Sequence, residues 1–476
     1  MAPKKKEMQG EPVAPTPEVR PSTWADPGTW TGSYKFLPAY VAFGAVAIAL
    51  VYANFFHEAS FDISSYKDCI ATFDHGFRVN AVLSQAHEHS KHSWEIGYAH
   101  EATQQIFNPE RSVFGSDPFP DGKVPKLGLR LDEASVYAES KIKLQEKSLF
   151  DEENGAVSDP ASLGVAALMF AQRGWLGKQY LKATARQKDL LLEGAPRYSN
   201  GAISHRHERP ELWSDAIAMF PPFLAYYGVA DNDTQLIKVA YEQITKYKDI
   251  LQIRSGPKKG LWKHIVSPST SNDEGAWSTG NAWAAYGMAR VRATISAWPR
   301  SNDTMQPEIQ QLDIFIQDII DGAIATDTDA SGLLRNYLGE DQSFGETSGT
   351  SLLAATAYRM ALLRSEIFGH ERYLTWAHRK RQAVFEKISE DGIVRQAAQS
   401  LDHKANEPGD ISPEGESFAL LMAAAWRDCV CNGLCLSQYE AEVGEVPQST
   451  AFTLESLLGF SVGGIWQRIS KYFAAP

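Results

Sequence analysis

The sequence predicts an all-α protein in which helical hairpins repeat along the chain, with one membrane-spanning helix before them. Segments with the apolar spacing of helices follow one another from about residue 93, for example LGVAALMFAQRGWLGKQYLKATARQKDLLL. No alternating strand of useful length interrupts these segments. The membrane helix is predicted by an uncharged apolar run at residues 36–56.

Composition limits the classes of function. The chain has 476 residues, of which 43% are apolar and 11% aromatic, so it can bury a sizeable core. Its net charge of −12 would repel phosphates, which excludes nucleic acid as a partner. Small or neutral partners are expected.

The N-terminal region reads as a tail and an anchor. Residues 1–35 are rich in proline and charge and are predicted to form a disordered cytoplasmic tail. The run FLPAYVAFGAVAIALVYANFF at 36–56 would span roughly 30 Å as a helix. Basic residues precede it and Glu58 and Asp62 follow it, which predicts a single-pass type II membrane protein with the remainder lumenal or extracellular. A buried soluble helix is the alternative.

The four cysteines, Cys69, Cys429, Cys431 and Cys435, fit such a compartment. One or two disulfides are expected, with three connectivities open if all four pair. No histidine completes a zinc spacing beside them, so no metal or cofactor is predicted. Residues 57–92 are predicted to form a stem between the membrane helix and the catalytic domain. Four histidines in and just after this segment are interpreted as part of a solvated linker: His87, His89, His92 and His100.

A loop motif repeats between the helices. NGAISHR, KGLWKHI, SGLLRNY and DGIVRQA centre on Gly201, Gly260, Gly332 and Gly392, and each precedes a similar helix entry. Repeated hairpins bury their apolar faces against neighbours, as an open stack or a closed ring. Their loops then gather on one face and supply the side chains of a ligand site: Trp213, His264, Trp277, Trp283 and Glu346.

Asp215 stands between Trp213 and the apolar run AIAMFPPFLAYYG. One interpretation is a helix N-cap, whose side chain accepts free backbone N–H groups. The other is a catalytic acid, because apolar neighbours such as Met219 and Phe220 would raise its pKa.

Asp159, in AVSDPASLG, is the second acid of interest. It too reads as an N-cap, with Pro160 at the first helical position. The alternative is that Asp159 and Asp215 leave successive repeats at equivalent positions and meet across the mouth of a ring. Paired carboxylates there suggest glycoside chemistry.

Aromatic side chains favour a sugar ligand. Trp277 and Trp283 bracket GAWSTGNAW, and indole faces stack on the apolar face of a pyranose. Core packing is the alternative for both. His264 is either a surface histidine or a ligand partner.

Six motifs together resemble a known family: SDPASLG, ISHRHERPELWSDAIAMFPPFLAYYG, GLWKH, WSTGNAW, SGLLRNYLGEDQSFGETSGTSLLAATAYRMA and SPEGESFALLMAAAWRD. They resemble glycoside hydrolase family 105, the unsaturated rhamnogalacturonyl hydrolases, and the related family 88. The resemblance covers residues 93–428 and implies an all-α (α/α)6 six-hairpin barrel as the catalytic domain.

The resemblance also implies an activity. Such enzymes hydrate the C4=C5 double bond of the unsaturated uronyl residue that a lyase leaves on an oligosaccharide. Asp215 matches the acid that protonates C4 and takes a proton from water, without a covalent intermediate, and Asp159 matches an acid that holds the substrate. The resemblance places these residues at the sugar: His205, Trp213, His264, Trp277, Thr279, Asn281 and Trp283.

The chain departs from the family at Thr279, where an arginine usually binds the uronate carboxylate. A hydroxyl cannot replace a bidentate guanidinium, so Arg206 or Arg209 would have to supply the charge. Residues 429–476 form an extension without a counterpart. Two other functions stay open, an inverting glycosidase that uses Asp159 and Asp215 on saturated sugars and a carbohydrate-binding protein without turnover.

Overall fold

A computed structural model describes residues 63–128, 131–152 and 155–436 of the chain. The predicted tail and membrane helix lie outside the described residues, as does most of the C-terminal extension. Within the described ranges, no helix is both long and apolar enough to cross a bilayer.

Within the described residues, six inner helices form a closed ring, in which each helix packs against the one before and the one after it. The ring closes because the last inner helix packs against the first. In chain order the inner helices are α3 (Ser93–Phe107), α5 (Gly164–Ala171, after a 3-10 turn at Asp159–Leu163), α7 (Ala216–Asp231), α9 (Ser278–Ala297), α12 (Thr347–Leu363) and α15 (Pro413–Cys431).

Six outer helices pack on the ring. They are α2 (Val79–His89), α4 (Glu133–Glu139), α6 (Lys178–Asp189, continued by a π turn at Leu190–Gly194), α8 (Thr234–Leu251), α11 (Gln306–Ala325) and α14 (Glu371–Phe385). Three short helices complete the described set: α1 (Ile63–Thr72), α10 (Pro299–Asn302) and α13 (Ser365–Phe368).

Sequence pattern decides which helices lie inside. Helix α7 is apolar on every side and is buried from Ala216 to Val229, as expected for a helix surrounded by others. Helix α8 instead buries only one stripe, which includes Leu236, Ile237 and Ile244, and exposes its polar side. The predicted helical-hairpin fold is therefore confirmed, and it is a ring rather than an open stack.

The predicted stem over residues 57–92 is wrong for its described part. Helices α1 and α2 occupy most of it, and Val82, Leu83 and Ala86 are buried. Helix α2 packs on α15 and α3, so it is the outer partner of the last inner helix. No helix after α15 packs on it as an outer helix among the described residues. Helix α2, from the N-terminal segment, takes that place.

The histidines of this region are also not a solvated run. His100 is buried in α3, and its pKa is lowered to about 4, chiefly by burial. His87 stacks on Tyr137 with ring centroids 3.8 Å apart. His92 stacks on Trp94 in the same way, at 4.5 Å. These rings pack because the helices around them are part of the barrel.

Two disulfides settle the connectivity that the sequence left open. Cys69 of α1 pairs with Cys431 at the end of α15, and Cys429 pairs with Cys435. The first bond joins the two ends of the described chain.

The four repeated loops share one backbone feature. Gly201, Gly260, Gly332 and Gly392 have φ angles of +83°, +95°, +79° and +89°, a region that glycine adopts without strain. One short antiparallel pair, β1 (Leu212–Trp213) with β2 (Ile265–Val266), joins the Gly201 and Gly260 loops, and a second, β3 (Leu334–Arg335) with β4 (Gly345–Glu346), lies within the Gly332 loop.

Candidate active site

A cavity of about 140 Å³ opens at the end of the barrel where the inner helices begin. Five of the six inner helices, or the residues directly before them, contribute side chains to it. The loop between α14 and α15 covers part of it. The lining residues are Trp94, Asp159, His205, Arg206, Trp213, Asp215, Met219, Trp277, Trp283, Ser400, Leu401, His403 and Glu414.

Backbone pairing between the loops places His264 beside Asp215. In the β1–β2 pair, Trp213 lies opposite Ile265, and Ser214 N donates to His264 O at 2.9 Å. His264 N in turn donates to Gly275 O at 2.9 Å, which brings Asp273 alongside. Asp215, His264 and Asp273 therefore lie side by side, although they are 9 to 58 positions apart in the sequence.

Asp215 occupies the N-cap position of α7, but its side chain makes no capping hydrogen bond. Its Oδ2 accepts from Ser214 Oγ at 3.0 Å and lies 3.5 Å from His264 Nε2. Burial raises the pKa of Asp215, but the nearby His264 charge, together with His205 and the Ser214 hydrogen bond, outweighs burial, so the pKa is lowered. The expected raised pKa is therefore wrong, because the apolar neighbours are only one side of this carboxylate.

His264 lies between two carboxylates. Its side chain is 1% exposed, and Nδ1 lies 3.0 Å from Asp273 Oδ2. Burial alone would lower the pKa of His264, but Asp215 and Asp273 raise it. Tyr337 Oη donates to the same Asp273 oxygen at 2.6 Å and Gly275 N to the other at 3.1 Å. His264 is thus neither a surface residue nor part of the cavity wall, but the support behind Asp215.

Asp159 has the opposite environment. It is buried, and Oδ1 accepts from Ser158 Oγ at 3.1 Å and lies 3.6 Å from His205 Nδ1. Burial raises the pKa of Asp159 to about 7, with a further rise from the charge of Glu152. His205 is held neutral, because burial lowers its pKa to about 3. Asp159 is therefore a proton carrier near neutral pH, while Asp215 is ionised.

Aromatic rings form the walls on both sides of the acids. Trp213 lies between the His205 ring, whose centroid is 4.6 Å away, and the Arg206 guanidinium, also at 4.6 Å. Trp277 is buried and donates from Nε1 to Asn336 Oδ1 at 2.7 Å. Trp283 is buried against Tyr98. Trp277 and Trp283 are thus core residues that also contribute to the cavity wall, so core packing is confirmed and stacking on a sugar stays a prediction.

The structure separates the two candidate arginines. Arg206 lines the cavity beside Trp213. Arg209 is instead half-exposed and pairs with Glu211 Oε1 at 3.2 Å. Three serine hydroxyls, from Ser267, Ser269 and Ser271, donate to the same Glu211 oxygen. Arg206 is the arginine that can meet a bound anion.

Three residues of the described ranges have the spacing of metal ligands. The side-chain atoms of His264, Asp273 and His403 lie within 4.8 Å of one another. His403 Nε2 is 3.6 Å from Asp273 Oδ2, and the pKa of His403 is lowered to about 4, chiefly by burial. The sequence did not predict this cluster, because His403 comes from a loop with no recognised motif.

Residues 132–412, more than half of the chain, match the profile described as Glycosyl Hydrolase Family 88. The chain belongs to this family.

Similar proteins agree with the family 88 assignment. The unsaturated rhamnogalacturonyl hydrolase YesR of Bacillus subtilis is 23% identical over 238 residues, which are 48% of this chain and 63% of YesR. The chain thus spans less than two thirds of that relative. A crystal structure described as a possible member of family 105, from Klebsiella pneumoniae, superimposes with a TM-score of 0.54 at 17% identity, over 70% of this chain and 82% of that one.

Another structure, a family 105 glycoside hydrolase from C. acetobutylicum, has a TM-score of 0.53 at 14% identity, over 70% of this chain and 93% of that one. At such identities, the structural likeness concerns the fold. Together with the family 88 match, these likenesses identify the ring as the six-hairpin barrel that the sequence motifs implied.

Besides His264, two further residues that the family resemblance placed at the sugar lie outside the cavity wall. Asn281 is buried in α9, where Oδ1 accepts from Trp262 N at 2.8 Å and Nδ2 donates to the Trp262 and Trp277 carbonyl oxygens. Thr279 is also fully buried, and its Oγ1 has no hydrogen-bond partner among the described residues. Neither lines the cavity, because the first turn of α9 points these side chains into the barrel wall.

Glu346, expected in the loop site, is a helix cap. It is fully buried, and its carboxylate accepts from Ser348 N and Gly349 N at the start of α12, both at 2.7 Å. Its role is therefore structural.

Five cavity residues were missed by sequence reasoning: Trp94, Ser400, Leu401, His403 and Glu414. The repeat pattern could have indicated Glu414, because its motif SPEGE stands at a helix start equivalent to the one at Asp215. Trp94 and the loop residues carry no comparable pattern.

Proposed function

We propose that this family 88 protein removes an unsaturated uronyl residue from oligosaccharides by adding water across the C4=C5 double bond. One observation carries the proposal. Asp159 and Asp215 share a cavity, and their environments shift their pKa values in opposite directions. Such a pair supplies one acid and one base at the same pH.

Asp159 is assigned as the acid and Asp215 as the base. The proton of Asp159 goes to C4, and positive charge develops at C5 and the ring oxygen. Water adds to C5 and gives its proton to Asp215, which the His264 imidazolium has kept ionised. The hemiketal at C5 then opens and the next sugar leaves. This assignment divides between two carboxylates the two roles that the family resemblance implied for Asp215.

The cavity walls support a sugar acid as ligand. Trp213, Trp277 and Trp283 offer indole surface, and Arg206 supplies a positive charge at the same cavity. The name of the relative YesR, an unsaturated rhamnogalacturonyl hydrolase, supports the same substrate class.

The test is the loss of ultraviolet absorbance when the conjugated double bond of lyase-generated disaccharides is consumed. The substrate panel holds unsaturated rhamnogalacturonan, pectin and glycosaminoglycan disaccharides. Wild type should consume at least one, and Asp159→Asn and Asp215→Asn should each slow it by about 10²- to 10⁴-fold. Asp151→Asn, a change of an exposed acid in a preceding segment, is the control and should act like wild type.

A second function is favoured by the same pair of acids. An inverting glycosidase also needs one protonated and one ionised carboxyl group, on a saturated sugar. Release of reducing sugar from saturated glycans, without any ultraviolet change on the unsaturated panel, would select this function. If glycans bind but neither panel yields a product, the protein would be a carbohydrate-binding protein without catalytic activity.

For the cellular site, we propose a type II membrane topology with the barrel on the lumenal or extracellular side. The two disulfides support an oxidising compartment. The apolar run at 36–56 supplies the span. Protease added to intact vesicles should spare the barrel and remove an epitope at the N-terminus. The reverse pattern would contradict this topology.

A further inference from the structure

Glu414 lies across the cavity mouth from Asp215. The ring order α3, α5, α7, α9, α12, α15 puts α15 opposite α7. Asp215 precedes the first residue of α7 and Glu414 is the second residue of α15, so both stand at the same end of the barrel. Both line the cavity. Nothing in the proposed reaction uses Glu414.

One oxygen of Glu414 is satisfied and the other is not. Oε1 accepts from Trp94 Nε1 at 2.7 Å, whereas Oε2 is buried without a hydrogen-bond partner among the described residues. An ionised carboxylate left in this way would be a buried charge with a free oxygen, which is costly. A neutral carboxyl group avoids that cost, and its Oε2–H becomes a donor without an acceptor.

The surroundings act in the same direction. Burial raises the pKa of Glu414 well above its usual value, the nearby Glu95 raises it further, and the Trp94 bond offsets only part of this rise. Asp215 and Glu346 add to the rise. Three acids around it therefore favour the protonated form.

Glu416 gives an internal comparison two residues further on. It is also buried, has a free Oε2, and burial raises its pKa to about 8. Its Oε1 accepts from Val394 N at 3.3 Å, and it is not among the residues of the cavity wall. The two glutamates thus share burial and chemistry and differ in whether they reach the cavity.

We propose that Glu414 donates a hydrogen bond from Oε2 to a carboxylate oxygen of the sugar acid bound in this cavity, and so selects for an acidic ligand. This inference rests on the proposed function, since it takes the uronate as the ligand. A carboxyl O–H is a strong donor to an anion, and such charge-assisted bonds are about twice as strong as neutral ones. The bond compensates for Thr279, which leaves α9 without the family's arginine.

The experiment compares two ligands on the Asp215→Asn protein, in which turnover is expected to be slowed by about 10²- to 10⁴-fold so that binding can be measured. The probes are an unsaturated uronyl disaccharide and the same disaccharide with its carboxylate reduced to an alcohol, and affinity is measured by calorimetry. Glu414→Met, which has no donor, should weaken the acidic ligand by about tenfold or more and the reduced ligand by less than about twofold. Glu414→Gln keeps a donor and an acceptor for Trp94, so it should stay within about threefold of the parent.

Glu416→Met is the matched control and should leave both affinities unchanged. If Glu414→Met does not fold, Glu414→Ala repeats the comparison. Equal weakening of both ligands would overturn the inference, because loss of the Trp94 bond would then explain the effect. Unchanged affinity for the acidic ligand would overturn it as well, with the proposed function intact. If the parent protein bound the reduced ligand but not the acidic one, both the inference and the proposed function would fail.

Discussion

His264 Nε2 lies 3.5 Å from Asp215 Oδ2, and this contact sets the ionisation state of the site. Asp273 holds the other ring nitrogen at 3.0 Å, so the imidazolium is stabilised from both sides. The carboxylate for which the sequence predicted a raised pKa thereby has a lowered pKa and favours the ionised form. At Asp215, the charge of His264, together with His205 and the Ser214 hydrogen bond, lowers the pKa by more than the apolar surroundings raise it.

Replacing His264 should disable the base. In His264→Gln the positive charge is gone, so the pKa of Asp215 rises and the carboxylate protonates at higher pH. We expect kcat/KM to fall about 10²-fold and its acidic limb to move upward in pH. His207→Gln, at an exposed position of the Gly201 loop, is the control. A fall in kcat/KM without a shift of the limb would mean that His264 acts only by packing.

The alkaline limb should belong to Asp159. Burial raises its pKa to about 7, and an acid must be protonated to donate. Wild-type kcat/KM should therefore be level between the acidic limb of Asp215 and about pH 7 and fall above pH 7, with the alkaline limb absent from the residual activity of Asp159→Asn. A rate that stays level to pH 9 or beyond would rule out Asp159 as the donor.

Arg206 should matter for binding an acidic substrate, and Arg209 should not. Arg206→Ala removes the charge at the cavity and should raise KM for an uronyl disaccharide by about tenfold, with a smaller change in kcat. Arg209→Ala breaks only an ion pair with Glu211 outside the cavity. Similar KM values for the two variants would contradict the placement of the uronate beside Arg206.

Thr279 should be replaceable without loss of activity. Its Oγ1 is buried without a partner, so Thr279→Val keeps the shape and removes an unsatisfied polar group. The free energy of unfolding should be unchanged or increase by about 1 kcal/mol, as measured by urea denaturation. A large loss of activity with intact folding would instead return Thr279 to the substrate site that the family resemblance assigned to it.

The Cys69–Cys431 disulfide should stabilise the barrel more than Cys429–Cys435 does. It closes a loop with a sequence separation of 362, against 6 for the other. In the loop-entropy picture, the double variant Cys69→Ser/Cys431→Ser should lose up to about 3 kcal/mol more than Cys429→Ser/Cys435→Ser. Thermal unfolding of both variants under non-reducing conditions measures the difference. Equal melting temperatures would show that α1 contributes little to closing the ring.

The sequence by itself determined the hairpin repeat and the loops that carry the site. Apolar residues on all sides of AIAMFPPFLAYYG and on one stripe of TQLIKVAYEQITKYKDIL distinguish inner from outer helices, since burial of helix faces depends on local spacing. The four loop glycines mark equivalent turns for the same local reason. The structure brings five of the residues singled out in this way to one cavity: Asp159, Asp215, Trp213, Trp277 and Trp283.

Only the tertiary structure decided what depends on residues far apart in the chain. Helix α2 is an outer helix because α15 packs on it from the other end of the sequence, and no local pattern shows this. Thr279 and Asn281 turn away from the cavity although their neighbours Trp277 and Trp283 reach it. The pKa of Asp215 is lowered and that of Asp159 is raised because a pKa reflects every nearby charge. The charges that matter, on His264, Glu152 and Asp273, arrive through folding.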